Sequence, residues 1–406
     1  MSVVLPTQSQ QSTNVEEGRL KTIKKLLLAA VASTVTLLLA IVVAEIYLRK
    51  KEMPVVEPYS YELYTHDGRR VSLPVGELKL TLAPFTVYQN FPSQHTAKFN
   101  VNSQGLRGNE ETRQDSRPKV IILGGSATFG YGAKTDADTI PAIMQQSIAS
   151  HHIVNGGVIG FLSGQELTYL LTELIDYQPA VVVAYDGFND VFEGIFTPAH
   201  RTGKLGLSNN FYFMEDELAR NYRTQVSPLS SLSRVFSTLS AQSLVWTRFN
   251  QAISRWRQHG TSRTIKNLPE TDQKDLMNSI VATYVNNARK MALLSRASGA
   301  KFLLVFQAEL GQRANRTAEE KALLNEWTVG NGPYNDAFPV LYRQFLAEAK
   351  PLLTREGVEW IDANESVPYQ TDQQTLFVDP VHTNRRGNEI AAQFIVEKLQ
   401  TVLSEK

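Results

Sequence analysis

The chain contains no cysteine among its 406 residues. This absence excludes disulfide bonds, thiolate metal ligands, a cysteine nucleophile and a lipid anchor attached to cysteine. The formal net charge is only +1, so the composition gives no reason to expect a nucleic-acid partner. Beyond one Asp-x-x-His pair, Asp379 and His382, no histidines and carboxylates have metal-ligand spacing, so neither a metal nor another cofactor is expected.

Long apolar runs are rare in this chain, but one stands near the N-terminus. Residues 26–44 carry no charge over 19 positions, and a helix of that length spans about 28 Å, close to the thickness of a bilayer core. The run exceeds the apolar core of an ordinary signal peptide. The sequence therefore predicts a disordered tail over 1–20 and an uncleaved transmembrane signal anchor over 21–48. Four basic residues before the run and three after it favour a cytoplasmic N-terminus, which places the rest of the chain in the periplasm or at the cell surface.

The remainder divides into an extended, β-rich lead-in over 49–117 and a large domain over 118–406. In that domain, strands that are apolar on both faces alternate with helices, which indicates a parallel sheet covered on both sides, an α/β fold. One helix is expected to begin with a capping box from Ser163 to Glu166. Strands are expected at 120–123, 153–154, 180–184, 302–306 and 358–361, and helices at 138–150, 163–177, 271–298, 339–353 and 386–403.

A glycine-rich loop, GGSATFGYG, follows the first of these strands and carries Ser126. A phosphate-binding P-loop would need glycine at Thr128 and Ala133, and a dinucleotide fingerprint would need glycine or alanine at Thr135. The nucleophile elbow of α/β-hydrolases also fails, because it requires glycine at Thr128. A nucleophilic serine remains open, provided that a base and an orienting group accompany it.

His382 is the only one of seven histidines with an acid three residues before it, Asp379. In such a turn the carboxylate can hold the Nδ1–H of the imidazole and leave Nε2 free to take a proton from serine. Taken alone, the same pair is also compatible with a simple loop hydrogen bond.

Two further polar loops follow the second and third strands, NGGVIG at 155–160 and GFND at 187–190. With the other two they give four blocks in order: Gly-Gly-Ser, Asn-x-Gly-x-x-Gly, Gly-x-Asn-Asp and Asp-x-x-His. This series resembles the SGNH hydrolases, also called the GDSL-like esterase/lipase family, over roughly 118–192 and 272–403. The chain departs from the family's name motif at Gly125, where that motif has aspartate.

The resemblance implies a three-layer α/β/α, flavodoxin-like fold. It implies that Ser126 is the nucleophile, His382 the general base and Asp379 the residue that orients the histidine. The oxyanion hole would consist of the backbone N–H groups of Ser126 and Gly160 and the side-chain amide of Asn189. Such donors stabilise the negative charge of a tetrahedral intermediate.

An insertion over about 193–271 exceeds what the four blocks need. Between residues 218 and 269 it contains eight basic residues and no acidic one, and its apolar residues, two tryptophans among them, recur at near-helical spacing. This pattern suits contact with a membrane surface, contact with an anionic polymer, or a helical flap that packs on the core.

The sequence therefore predicts a membrane-anchored serine esterase that removes O-acyl groups, acetyl above all, from carbohydrate outside the cytoplasm. Its expected partners are the membrane and an acyl-ester substrate such as a polysaccharide. An O-acetyltransferase would use the same residues and pass the acyl group to a sugar hydroxyl. A third possible function is that of a catalytically silent assembly factor for polysaccharide export.

Overall fold

The described part of the chain comprises residues 24–26, 28–37, 39–44, 47, 61–64, 78–110, 116–196, 270–328 and 337–404 of a computed structural model. The chain forms two compact units, and helix α1 (Lys24–Ala44) belongs to the first of them. This helix has a mean hydropathy of 2.7 and is long and apolar enough to cross a membrane, so it is a candidate for the predicted anchor. Nearly all of the predicted insertion lies outside the described residues.

The second unit begins with short strands in the lead-in. They are β1 (Tyr61–Tyr64), β2 (Leu78–Ala83), β3 (Val87–Asn90), β4 (Gln94–His95) and β5 (Asn100–Val101). Strands β2 and β3 pair antiparallel, as do β4 and β5. The lead-in also reaches the main sheet, because Arg107 forms an isolated antiparallel bridge with Asn155.

A five-stranded, wholly parallel sheet follows, with strand order β10-β9-β8-β6-β7. Its strands are β6 (Lys119–Gly124), β7 (His152–Gly157), β8 (Pro179–Asp186), β9 (Lys301–Phe306) and β10 (Trp360–Asp362). Residues 120–123 of β6 are completely buried, as a strand covered on both faces requires. All five expected strands are present, and the predicted α/β fold with a parallel sheet is confirmed.

Helices cover both faces of this sheet. They are α2 (Ser126–Phe129), α3 (Ile140–Ser147), α4 (Ser163–Thr172), α5 (Phe188–Phe196), α6 (Glu270–Ala297), α7 (Ala318–Thr328), α8 (Phe338–Arg355), α9 (Val367–Thr371) and α10 (Arg385–Ser404). Helices α4, α5, α6 and α8 share one apolar core with side chains from one face of the sheet, and α3 and α10 share the other. The architecture therefore has three layers. The sequence pattern did not predict four of these helices, α2, α5, α7 and α9.

The helix expected over 138–150 is shorter than predicted. A 3-10 turn occupies Asp136–Asp138, and α3 begins only at Ile140. Thr139 caps α3 by accepting a hydrogen bond from the N–H of Ala142, and Pro141 fits the first turn because its missing N–H has no intrahelical partner there.

The predicted capping box of α4 is wrong. The N-cap is Leu162, whose N–H donates to the side chain of Gln165 at 3.3 Å. Ser163 and Glu166 are both buried and point into the protein instead of capping the helix. The helix also ends at Thr172, before a 3-10 turn at Leu174–Tyr177. These two polar side chains are therefore available for interactions inside the domain.

Arg107 joins the lead-in to the end of α2. Its guanidinium is almost wholly buried and donates to the Asp136 carboxylate at 2.7 Å and to the carbonyl of Lys98 at 3.1 Å. It also donates to the carbonyls of Phe129 and Gly130 at 3.0 and 3.1 Å. The last carbonyls of a helix lack intrahelical partners, so Arg107 satisfies the end of the helix that begins at Ser126.

Replacing Arg107 by methionine is expected to lower the free energy of unfolding by about 2–3 kcal/mol, because buried carbonyls and a carboxylate lose a charged donor. Denaturant unfolding of the detergent-solubilised chain measures the change. Arg355→Met is the matched control, since Arg355 is 72% exposed and its ion pair with Glu356 is long at 3.8 Å. Equal effects of the two substitutions would contradict the assigned role.

Candidate active site

Ser126, His382 and Asp379 meet at the carboxyl edge of the sheet. Ser126 begins α2 directly after β6, whereas the other two residues lie in the loop between α9 and α10. The Oγ atom of Ser126 lies 2.7 Å from Nε2 of His382, and Nδ1 of His382 lies 2.6 Å from Oδ2 of Asp379. The structure thus brings together, in one hydrogen-bonded chain, the three side chains that the sequence predicts as catalytic.

The Asp379 carboxylate is held by its own turn. Its Oδ1 accepts hydrogen bonds from the N–H groups of Val381 and His382 at 2.9 and 2.8 Å, which leaves Oδ2 for the imidazole. Burial alone would raise the pKa of Asp379, but the facing imidazole and these N–H groups together lower it below its ordinary value. An ionised Asp379 fixes the proton of neutral His382 on Nδ1, so Nε2 can accept the serine proton.

The glycine-rich loop after α2 packs against His382. The ring of Tyr131 lies 4.3 Å from the imidazole, centroid to centroid, at an angle of 45°. A Cβ at Gly132 would lie 2.8 Å from the carbonyl of Thr383, and the φ of Gly132 is +94°, so only glycine lets the two loops approach this closely. The contact restricts the orientation of the imidazole.

The three predicted oxyanion donors belong to Ser126 at the start of α2, to Gly160 in the loop after β7 and to Asn189 in α5. Gly160 forms a turn with φ +73°, and Asn189 lies in the first turn of α5. The amide nitrogen of Asn189 donates one hydrogen to the carbonyl of Phe161 at 2.8 Å, and its second hydrogen remains for a ligand. In the described part of the chain, the N–H groups of Ser126 and Gly160 donate to no other residue. Their role as an oxyanion hole remains a prediction.

Gly125 lies against the side-chain amide of Asn189. A Cβ at this position would lie 2.6 Å from the amide nitrogen of Asn189 and 3.4 Å from the carbonyl of Phe161. The amide therefore occupies the space that any side chain at 125 would need. With glycine there, Asn189 can lie directly beside the residue that carries the nucleophile.

The lead-in supports the Gly160 loop from behind, which the sequence did not predict. The hydroxyl of Tyr88 donates to the carbonyl of Ile159 at 2.9 Å, and the amide of Asn90 donates to the carbonyl of Gly157 at 3.1 Å. The sequence gives no local indication of these two hydrogen bonds, because each partner is about 70 residues away along the chain. Within the described residues, no group of three His, Asp or Glu side chains is arranged to hold a metal ion.

No family model and no curated protein matches the chain. Solved structures do resemble it at low identity. A lipase/acylhydrolase from Enterococcus faecalis is 14% identical, with 70% of this chain and 96% of that one covered and a TM-score of 0.38. A carbohydrate acetylesterase family member from Sinorhizobium meliloti is 12% identical, with coverage of 71% and 100% and a TM-score of 0.39. A GDSL-like lipase from Bacteroides thetaiotaomicron is 14% identical, with coverage of 72% and 95% and a TM-score of 0.36.

Proposed function

We propose that the chain is a membrane-anchored serine esterase of the SGNH type. The observation that carries the proposal is the continuous hydrogen-bonded chain from Ser126 through His382 to Asp379. A serine hydroxyl is a weak nucleophile at neutral pH, and this arrangement is the means by which proteins activate one.

In the first half-reaction, Nε2 of His382 takes the proton of Ser126 as Oγ attacks the ester carbonyl. The resulting negative charge falls on the former carbonyl oxygen, where the N–H groups of Ser126 and Gly160 and the Asn189 amide donate to it. The protonated imidazole then gives its proton to the departing alcohol oxygen, and the C–O bond breaks. Ser126 is left as an acyl ester.

In the second half-reaction, a water molecule attacks the acyl carbon and His382 takes one of its protons. The tetrahedral intermediate collapses, Ser126 recovers its proton from His382, and a carboxylic acid leaves. Asp379 stays ionised throughout and stabilises the imidazolium that forms in each half. Attack by a sugar hydroxyl in place of water would make the same machinery a transferase.

We further propose O-acyl carbohydrate, and acetyl esters in particular, as the substrate class. The support is α1, which is long and apolar enough to tether the enzyme to a membrane. An esterase held at the outer side of that membrane would meet envelope or exported polysaccharide.

The decisive experiment treats the full chain, purified in detergent, with a fluorophosphonate that labels activated serines. The wild-type chain is expected to be labelled at Ser126, as located by mass spectrometry, and Ser126→Ala is expected to remain unlabelled. Absence of labelling in the wild type, or labelling that persists in Ser126→Ala, would overturn the proposal.

Two further measurements address the acceptor and the topology. Acetylated xylan is incubated with the enzyme, and the acetate released to water is compared with acetyl transferred to an added sugar. Esterase action predicts free acetate, whereas a transferase would leave acetyl on the sugar.

A reporter fused after Lys406 is expected to be active only outside the cytoplasm, and activity inside would reverse the proposed orientation.

A further inference from the structure

Three carboxyl groups lie behind the Gly160 loop and take no part in the proposed chemistry. Glu166 and Asp186 are almost wholly buried, and Asp190 is partly buried. Asp186 accepts a hydrogen bond from the hydroxyl of Tyr284 and is also hydrogen-bonded to the side chain of Glu166, whose pKa burial raises well above its ordinary value. Burying charge is costly, so such a cluster calls for a structural or functional reason.

Asp190 binds the residue that starts α4. Its Oδ2 accepts a hydrogen bond from the N–H of Ser163 at 3.0 Å, and its Oδ1 accepts one from the hydroxyl of Ser163 at 2.5 Å. The same hydroxyl accepts a hydrogen bond from the amide of Asn287 at 3.0 Å, so its proton must point to Asp190. Both oxygens of Asp190 therefore act as acceptors, which is the pattern of an ionised carboxylate.

These contacts attach the Gly160 loop to the first turn of α5 at two consecutive residues. Asn189 donates to the carbonyl of Phe161, and Asp190 holds both the N–H and the hydroxyl of Ser163. If Asp190 were absent, the loop would lose its contacts with Asp190 and keep only the hydrogen bond from Asn189, which is itself a predicted oxyanion donor. The carboxylate of Asp190 thus fixes the spacing between Asn189 and the loop that carries Gly160.

We propose that the ionised Asp190 carboxylate is a positioning residue for the oxyanion hole. The inference rests on the proposed esterase function. Asp190 does not touch the substrate in this proposal; it acts through Ser163 and Asn189, by holding two donors at the distance that a tetrahedral oxyanion requires. A shift of a donor by an ångström is enough to reduce catalysis severely.

The charged and titratable groups around Asp190 make this positioning sensitive to pH. Asp186 faces it from β8, Glu166 from α4 and Tyr284 from α6. Tyr342 of α8 interacts electrostatically with Asp186. Burial and then the negative charge of Asp186 raise the pKa of Asp190 to about 7. As the pH falls through that value, Asp190 gains a proton, one oxygen stops accepting, and the loop loosens.

The first test compares Asp190→Asn with wild type in hydrolysis of 4-nitrophenyl acetate at pH 8. The amide keeps the size of the carboxylate but offers only one acceptor oxygen to the two Ser163 donors. We expect kcat to fall about 10- to 100-fold with KM changed by less than about twofold, as loss of transition-state stabilisation requires. Asp176→Asn is the matched control, because Asp176 is exposed in the 3-10 turn after α4. Wild-type kcat in Asp190→Asn would overturn the proposal.

The second test uses Asp186→Asn, which stays informative even if Asp190→Asn does not fold. The amide oxygen can still accept from Tyr284, and the amide nitrogen can donate to the carboxyl group of Glu166. Removal of the Asp186 charge lowers the pKa of Asp190, so the acid limb of fluorophosphonate labelling is expected to shift to lower pH. The substitution leaves Ser126, His382 and Asp379 unchanged, so the difference between the two proteins reports on Asp190.

Identical acid limbs in wild type and Asp186→Asn would overturn the positioning role. The labelling of the wild type at pH 8 separates this outcome from failure of the proposed function. If the wild type is unlabelled at pH 8, the esterase proposal fails. If the wild type is labelled but neither variant changes kcat or the acid limb, only the inference about Asp190 fails.

Discussion

Replacing His382 by alanine is expected to lower kcat/KM for 4-nitrophenyl acetate by about 10⁴- to 10⁶-fold, because the variant loses the base that takes the proton of Ser126 in the proposed mechanism. Nε2 of His382 is the hydrogen-bond partner of Oγ at 2.7 Å. Hydrolysis by the detergent-solubilised chain, corrected for the spontaneous rate, measures the loss. His95→Ala is the control, since His95 is exposed in the lead-in and bonds Asn100; it is expected to retain wild-type activity.

Asp379→Asn tests whether the carboxylate that pairs with Nδ1 of His382 is needed for activity. An amide cannot fix the Nδ1–H tautomer as the carboxylate does, so we expect a loss of about 10⁴-fold with little change in the fold. The double variant His382→Ala/Asp379→Asn is expected to be no slower than His382→Ala, because the residues act together. Activity above about one hundredth of wild type in His382→Ala would contradict the assignment of the base.

The sheet and the three meeting side chains could be predicted because their signals are local. A strand buried on both faces is a continuous apolar run, and the residue that follows a parallel strand lies at the carboxyl edge of the sheet by topology alone. Ser126, Gly160 and Asn189 follow three neighbouring strands in this way. His382 could be chosen because it alone has a carboxylate at the right spacing.

The features that were missed depend on contacts distant in sequence. Ser163 followed by Glu166 has the sequence of a capping box, but Asp190 and Asn287 compete for the serine hydroxyl, and the cap moves to Leu162. Likewise the spacing of residues 138–150 does not reveal that the helix begins only after Thr139. The role of Arg107 could not be predicted from the residues beside it in the sequence, because its acceptors include carbonyls 22 and 23 residues away.

Gly125→Ala is expected to lower kcat about 10²- to 10³-fold, the usual effect of losing one oxyanion donor. The φ of Gly125 is −82°, so alanine is not disfavoured there by a positive φ. The new Cβ would instead lie 2.6 Å from the amide nitrogen of Asn189, and that side chain would have to move away. Steady-state hydrolysis measures kcat, and Gly164→Ala is the control, because a Cβ there would make only an ordinary contact at 3.5 Å.

A double-mutant cycle with Asn189→Ala separates this mechanism from a general disturbance of the loop. If Gly125→Ala acts by displacing Asn189, it should cost little once that amide is already absent, because truncation to alanine also removes the clash. The double variant is therefore expected to be about as active as Asn189→Ala alone. Additive losses would contradict the mechanism, since they would mean that Gly125 and Asn189 contribute to catalysis independently.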